Sequence, residues 1–192
     1  MPRKGIEHAI ELVKQLDDPR CKLVISHGAG DEGTEYLDYL HEHAAQRGVS
    51  LNVVAERVHD KRRQNGDGKK VYTLWDVYPH ADLVTYPSLY EGFGNAFLEG
   101  ILFRKPMMVN RYSVYQTDIE LLGFDVVSME QYLTKRTVEQ VREVLNNPDR
   151  RQRMVEHNYE LALKHFSFTV LEKKLKALLA NFFGREVHEK GS

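Results

Sequence analysis

The run from Asp82 to Arg104, D-L-V-T-Y-P-S-L-Y-E-G-F-G-N-A-F-L-E-G-I-L-F-R, restricts the fold of this chain more than any other. The apolar residues up to Tyr86 read as a buried strand, Pro87 breaks it, and a helix opens at Gly92-Phe93-Gly94-Asn95. A strand, a glycine-bearing turn and a helix N-terminus make an anion site in that order. The first amides of a helix have no intrahelical partners and sit at the positive end of its dipole. Glycines let a ligand approach that backbone closely.

The flanking sequence supplies strands and helices in alternation. Ile6, Ala9, Ile10, Val13 and Leu16 share a helical face, and Asp17-Asp18-Pro19 ends that helix. Lys22 to Ser26 is a short strand, His27-Gly28-Ala29-Gly30 a turn, and Asp31 to Arg47 a helix with Tyr36, Leu37, Leu40 and Ala44 inward. Strands follow at Leu51 to Ala55, Lys105 to Asn110 and Phe124 to Val127, with a short helix over Tyr72 to His80. This rhythm predicts an α/β fold: βαβ units with a parallel sheet covered by helices on both faces. Three helices close the chain, from Thr134, from Pro148 and from an N-cap at Ser167, the last with Leu171, Leu175, Leu178 and Phe182 inward. They are expected to pack alongside the sheet.

Between Glu56 and Lys70 the periodicity stops, and charged residues surround Asn65-Gly66 and Asp67-Gly68. A long exposed loop is expected, either a solvated excursion or a lid facing a second substrate. Residues 1–184 read as one domain and 185–192 as a disordered tail.

Composition limits what the anion site can serve. Twenty-seven basic and 28 acidic residues leave no global field for nucleic acid or a membrane surface, so anion binding is local. Cys21 is the only cysteine, and no run of about 18 apolar residues is present. A cytoplasmic location is expected. Scattered histidines offer no convincing ligand triad, so no metal is expected.

Glu91 and Glu99 bracket the helix start. Eight residues of continuous helix span about 12 Å at a rise of ~1.5 Å per residue. A glycosidase pair needs about 5–9.5 Å, so the two are placed instead to meet opposite ends of an elongated ligand with a diphosphate at its middle. Carboxylates accept hydrogen bonds without donating, which suits hydroxyls at both ends. A sugar nucleotide has that form.

The pattern P-S-x-x-E-G-F-G-x-x-x-L-E, here Pro87, Ser88, Glu91, Gly92, Phe93, Gly94, Leu98 and Glu99, followed by K-P-x-x-V at Lys105 to Val109, resembles the family 4 retaining glycosyltransferases of GT-B architecture. The likeness extends from Arg3 to about Phe182 and covers the C-terminal half of such an enzyme. It implies a Rossmann-like nucleotide-sugar-binding domain for hexosyl transfer with retention. Glu99 would hold the ribose, Glu91 the donor sugar, and Ser88, Gly92, Phe93, Gly94 and Asn95 the diphosphate and sugar. Lys4, with Gly5, matches the family's phosphate-neutralising lysine. Arg3 directly precedes Lys4 and is not at the family spacing, and a chain terminus is ordinarily frayed. The resemblance implies no metal or cofactor, a nucleotide-sugar donor as substrate, and an N-terminal acceptor domain elsewhere. Asn110 to Tyr115 replaces the family's Gly-Gly segment, and Arg111 there reads equally as a phosphate cation or as surface. His27 and Gly28, at a strand's carboxyl end, read as a turn or as ligand contacts. A binding or assembly module without chemistry, or a sugar-nucleotide epimerase, would share these features. A missing first strand would leave a sheet edge that another chain could fill, which makes a homodimer plausible.

Overall fold

A computed structural model describes residues 3–26 and 33–184. Three short parallel strands, β5 (Val84–Tyr86), β6 (Met107–Asn110) and β7 (Val127–Met129), form one sheet in sequential order. Val84 pairs with Met107, and Met108 with Val127. A second parallel pair joins β1 (Leu23–Ile25) to β2 (Leu51–Val53), with Leu23 opposite Leu51. The α/β architecture expected from the alternation is present.

Side chains of β6 alternate between two cores, as the period of a strand requires. Met108 points toward α1 (Ile6–Leu16) and α5 (Lys135–Asn146), in a cluster with Leu12, Leu16, Val138, Val141 and Val144. Met107 and Val109 point the other way, toward α4 (Asn95–Leu102), in a cluster with Phe97, Ile101, Tyr115 and Phe124. Helices thus cover both faces. A third cluster packs Ile6 and Ile10 of α1 against Ile25, with Tyr36, Leu40 and Ala44 of α2 (Gly33–Gln46).

Three expectations are corrected. Residues 56–70 are not a plain loop: β3 (Arg63–Gln64) and β4 (Lys70–Val71) form an antiparallel hairpin. Its turn is built by Asn65, whose side-chain oxygen accepts from the N–H groups of Asp67 and Lys69. The hairpin is fastened to α3 (Leu74–Val77) by an ion pair between Arg62 and Asp76. The strand expected at Phe124 to Val127 lies about three residues later, because Phe124 is drawn into the aromatic cluster beside Phe97 and Asp125 is held by Arg150. The last helix, α7 (Phe168–Phe183), does begin at Ser167, whose hydroxyl accepts from Val170 N–H, but its apolar stripe is not inward. Leu171, Leu175, Leu178 and Phe182 are all more than half exposed, since α7 leaves the body after α6 (Pro148–Phe166) and meets no second apolar surface among the described residues. The turn at 27–30, the helix start at Asp31 and the tail at 185–192 lie outside the described residues.

Candidate active site

The carboxyl ends of β5 and β6 converge on the segment that sequence alone singles out. Two residues beyond β5, Ser88 is buried, and its carbonyl accepts from Asn110 Nδ2 at the end of β6 (2.9 Å). Asn110 Oδ1 accepts in turn from Gln131 N–H, so one buried amide ties the loops after β5, β6 and β7 together. Open α/β sheets present ligands at this end.

Glu91 is buried, and the chain's first described residues are folded onto it. Lys4 Nζ lies 2.7 Å from Oε1, and Arg3 Nη1 lies 3.4 Å from Oε2. The hydroxyls of Ser88 and Tyr86 donate to the same carboxylate. Burial alone would raise the pKa of Glu91, but the bonds from Lys4 and Ser88 and the charges of Lys4 and Arg3 outweigh it, and the net direction is downward. Tyr86 is pushed up by its own burial and then by the charge of Glu91, so it stays a hydroxyl donor. The frayed terminus expected at Arg3 and Lys4 is therefore not found. The Arg3 carbonyl accepts from Leu89 N–H (2.8 Å), and Gly5, at φ 58°, lies against the Pro87 carbonyl.

From Glu91 the backbone turns through Gly92 and Phe93 to Gly94, the N-cap of α4, at φ 86°. A Cβ at Gly94 would lie 2.7 Å from the Tyr112 hydroxyl and 2.9 Å from that of Tyr86, so only glycine fits there. Tyr112 also donates to the Phe93 carbonyl, which fixes the turn. No side chain caps α4, so the amides of Asn95 and Ala96 at its start have no side-chain cap. Because α4 begins at Asn95, Glu91 lies outside the helix, and the ~12 Å separation of eight helical residues does not apply. Glu99 sits four residues into α4, half-buried, where Tyr78 Oη donates to its Oε2 (3.1 Å). Tyr78 in turn stacks on Phe103 at 4.8 Å.

Thus Arg3, Lys4, Ser88 and Glu91 form one cluster, and Gly92, Phe93, Gly94, Asn95 and Glu99 the adjoining turn and helix. Arg111 is drawn away from it, paired with Glu120 (2.8 Å) and Glu130 (3.2 Å). Sequence reasoning misses the supports: Asn110, Tyr78, Tyr86 and Tyr112. A polar residue closing the apolar run Met107-Met108-Val109 is the available signal for Asn110.

A parallel sheet covered on both faces, with a glycine-capped helix and paired cations at its carboxyl end, defines a Rossmann-like nucleotide-site architecture. The family model "Glycosyl transferases group 1" matches residues 1–161, and the chain belongs to that family. It has the fold of the C-terminal domain of a GT-B glycosyltransferase. Mannosylglucosylglycerate synthase of Thermotoga maritima is 36% identical over 154 residues, 73% of this chain and 34% of that protein. The Petrotoga mobilis protein of the same name is 42% identical over 98 residues, 51% of this chain and 22% of that protein. The chain therefore spans about a third or less of these relatives. Among solved structures, Anabaena HepE in complex with UDP superposes with a TM-score of 0.75 at 14% identity, over 94% of this chain and 46% of HepE. The C-terminal domain of a group 1 glycosyl transferase (LpcC) from Francisella tularensis gives 0.65 at 15% identity, over 86% of this chain and 81% of that one. Among the described residues, no helix is long and apolar enough to cross a membrane.

Proposed function

We propose that this chain is the donor-binding half of a retaining glycosyltransferase that moves a hexose from a nucleotide diphosphate sugar to an acceptor hydroxyl. The observation that carries the proposal is the fold-back of Arg3 and Lys4 onto Glu91 beside the uncapped N-terminus of α4, with Glu99 farther along the same helix. In this reading Lys4, Arg3 and the amides of Gly92 to Asn95 neutralise the diphosphate. Glu99 accepts from the ribose and Glu91 from the sugar hydroxyls. The bond between the sugar's anomeric carbon and the diphosphate breaks as the acceptor oxygen bonds to that carbon on the same face. A donor phosphate oxygen takes the acceptor proton. Stabilising the departing diphosphate charge is the main protein contribution, and no metal is required.

The acceptor side belongs to a further domain. In support, the matched relatives are about three times as long as their matched region or more, and α7 exposes an apolar stripe of the kind that a second domain covers. The chain alone is expected to bind donor weakly and to transfer poorly, in the cytoplasm as its ordinary compartment. Because HepE was solved with UDP-glucose and two relatives are mannosyl-type synthases by name, the donor panel is UDP-glucose, GDP-mannose and ADP-glucose. Calorimetric titration should give saturable binding of one of them that survives EDTA and is lost in Glu99→Ala. Absence of binding by all three would refute the reading. Binding without transfer after the acceptor domain is restored would favour a module without chemistry.

A further inference from the structure

The hairpin of β3 and β4 concentrates a charge that the rest of the chain balances. Between Arg57 and Tyr72 stand Arg57, Lys61, Arg62, Arg63, Lys69 and Lys70 against the carboxylates of Asp60 and Asp67, whereas the whole chain is close to neutral. Like charges on facing strands repel, and strands of two residues have little else to offset that repulsion. Of these cations only Arg62 has a carboxylate partner among the described residues, Asp76 of α3. Arg57 donates to the Lys70 carbonyl (3.2 Å), and its guanidinium lies 5.4 Å from the centre of the Tyr72 ring. Arg63 and Lys70 are exposed, and neither side chain makes a hydrogen bond or ion pair among the described residues.

These groups surround a cavity of about 540 Å³, within the range of about 300–1,000 Å³ that small-molecule sites occupy. Arg62, Arg63 and Lys70 line it, together with Gln64, Tyr72 and Asp76. Three cations against one carboxylate favour an anion, and that carboxylate is already held by Arg62 and by Thr73 N–H (2.9 Å). The remaining lining suits more than an anion. Gln64 can both donate and accept, and Asp76 accepts, which matches hydroxyl groups. Tyr72, 38% exposed, offers ring surface against which the C–H face of a sugar packs. A bare phosphate would displace only a few waters of about 30 Å³ each and leave most of the cavity wet. The frame is set before a ligand arrives, because β4 is bonded along both edges. It pairs with β3 on one side, and on the other Tyr72 N–H donates to the Arg57 carbonyl (2.7 Å) and His59 N–H to the Tyr72 carbonyl (2.8 Å).

We propose that the hairpin pocket binds a sugar-sized ligand bearing one carboxylate or phosphate group. Arg63 and Lys70 take the anion, and Gln64 and Tyr72 take the hydroxylated body. The repulsion among the hairpin cations is what the bound anion relieves. None of these residues belongs to the Glu91 cluster, and the inference does not rest on the donor reading.

Amide NMR titrations of the full chain at fixed ionic strength test this with glucose 6-phosphate, glucuronate, glucose and inorganic phosphate. The Gln64, Lys70 and Tyr72 amides should shift along one saturable curve with at least one of the two charged sugars, and the tighter of the two identifies the anion as phosphate or carboxylate. Glucose and inorganic phosphate, each lacking one part of the ligand, should bind at least about tenfold more weakly. Arg63→Gln and Lys70→Gln, both at exposed positions, should leave Tm nearly unchanged and each weaken binding by about tenfold or more, the worth of one hydrogen bond between charged groups. Lys70→Arg should retain binding. Lys173→Gln, which removes an exposed cation of α7, should change nothing. Absence of saturation by both charged sugars would overturn the proposal, as would inorganic phosphate binding as tightly as they do. Equal weakening by Lys70→Gln and Lys173→Gln would mean diffuse attraction and overturn it too. So would binding that is lost in Lys4→Met and kept in Lys70→Gln, which would put the ligand at Glu91.

Discussion

Gly5 offers a test of whether the start of the chain is built into the site. It is the N-cap of α1, at φ 58° and ψ 31°. Alanine in that left-handed conformation costs about 1–2 kcal/mol. Its Cβ would also lie 2.6 Å from the Pro87 carbonyl oxygen, and the obstacle is backbone, which does not swing aside like a side chain. Overpacking of this kind costs a further 1–3 kcal/mol, roughly, so Gly5→Ala should lose about 2–5 kcal/mol. Gly48 isolates the first contribution, since its φ is 68° and a Cβ there would meet nothing within 4 Å beyond its own helix and chain neighbours. Gly48→Ala should lose only about 1–2 kcal/mol. At about 2–4 °C per kcal/mol for a chain of this size, the two variants should melt roughly 4–20 °C and 2–8 °C below the parent. Relief of the clash moves Gly5 away from Pro87 and carries Lys4 away from Glu91, so nucleotide-sugar binding should fall in Gly5→Ala and persist in Gly48→Ala. Urea midpoints and calorimetric titration read both effects. Equal losses in the two variants would refute the argument that Pro87 and Gly5 are in fixed contact.

Three other perturbations follow from the same geometry. Tyr78→Phe removes the donor that holds Glu99 Oε2, so it should weaken ribonucleoside diphosphate binding by about tenfold or more, the worth of one hydrogen bond to a charged group. The loss should be much smaller for the 2′,3′-dideoxy analogue in calorimetry, and equal losses would mean that Tyr78 acts on the fold alone. Acid stability should fall in two stages, because burial holds His8 below its ordinary 6.5 and the Lys4 and Ser88 bonds hold Glu91 below 4.5. As pH drops, the unfolded chain takes each proton first, so stability present above pH 6.5 is lost through His8 and then, below 4.5, through Glu91. In urea midpoints from about pH 8 to 3, His8→Gln should flatten the upper stage and Lys4→Met should shrink the lower one. Leu175→Lys on α7 should shift stability by no more than about 0.5 kcal/mol, whereas Val141→Ala in the core should cost about 1–3 kcal/mol by thermal melting.

Sequence signals are legible where local chemistry decides the outcome. Gly94 is required by its positive φ and by two tyrosine hydroxyls at the place where its Cβ would be, and its role is visible from the turn pattern alone. The hairpin at 63–71 escapes such a reading because its strands are two residues each, too short for alternation to register. The stripe of α7 reads as inward because periodicity reports that a face is apolar and not what covers it. Tyr78 reaches Glu99 across 21 positions, and Lys4 reaches Glu91 across 87, and such pairings are set by topology, which single-sequence spacing does not encode.

The pairing of Lys4 with Glu91 also bears on how a donor would enter. Without ligand, the lysine charge is balanced by a buried carboxylate that has lost most of its water. In the proposed reading, a diphosphate would bring more negative charge than Glu91 and compete for the same ammonium, so its arrival would loosen Glu91 from Lys4. A buried carboxylate does not stay unpartnered, because the cost of leaving it so is several kcal/mol, roughly. Ser88 and Tyr86 keep part of its bonding, and sugar hydroxyls are the donors able to replace the rest. In that reading phosphate capture and sugar recognition would be linked through one side chain, and the link is measurable. Glu91→Gln keeps the shape, releases Lys4 to the diphosphate and weakens acceptance from the sugar. Its affinity for the free nucleoside diphosphate should hold or rise, while its affinity for the nucleotide sugar should fall about tenfold, one charged hydrogen bond's worth. Calorimetry with both ligands decides the matter: equal changes for the two would separate Glu91 from the sugar and leave it as a structural counter-ion to Lys4.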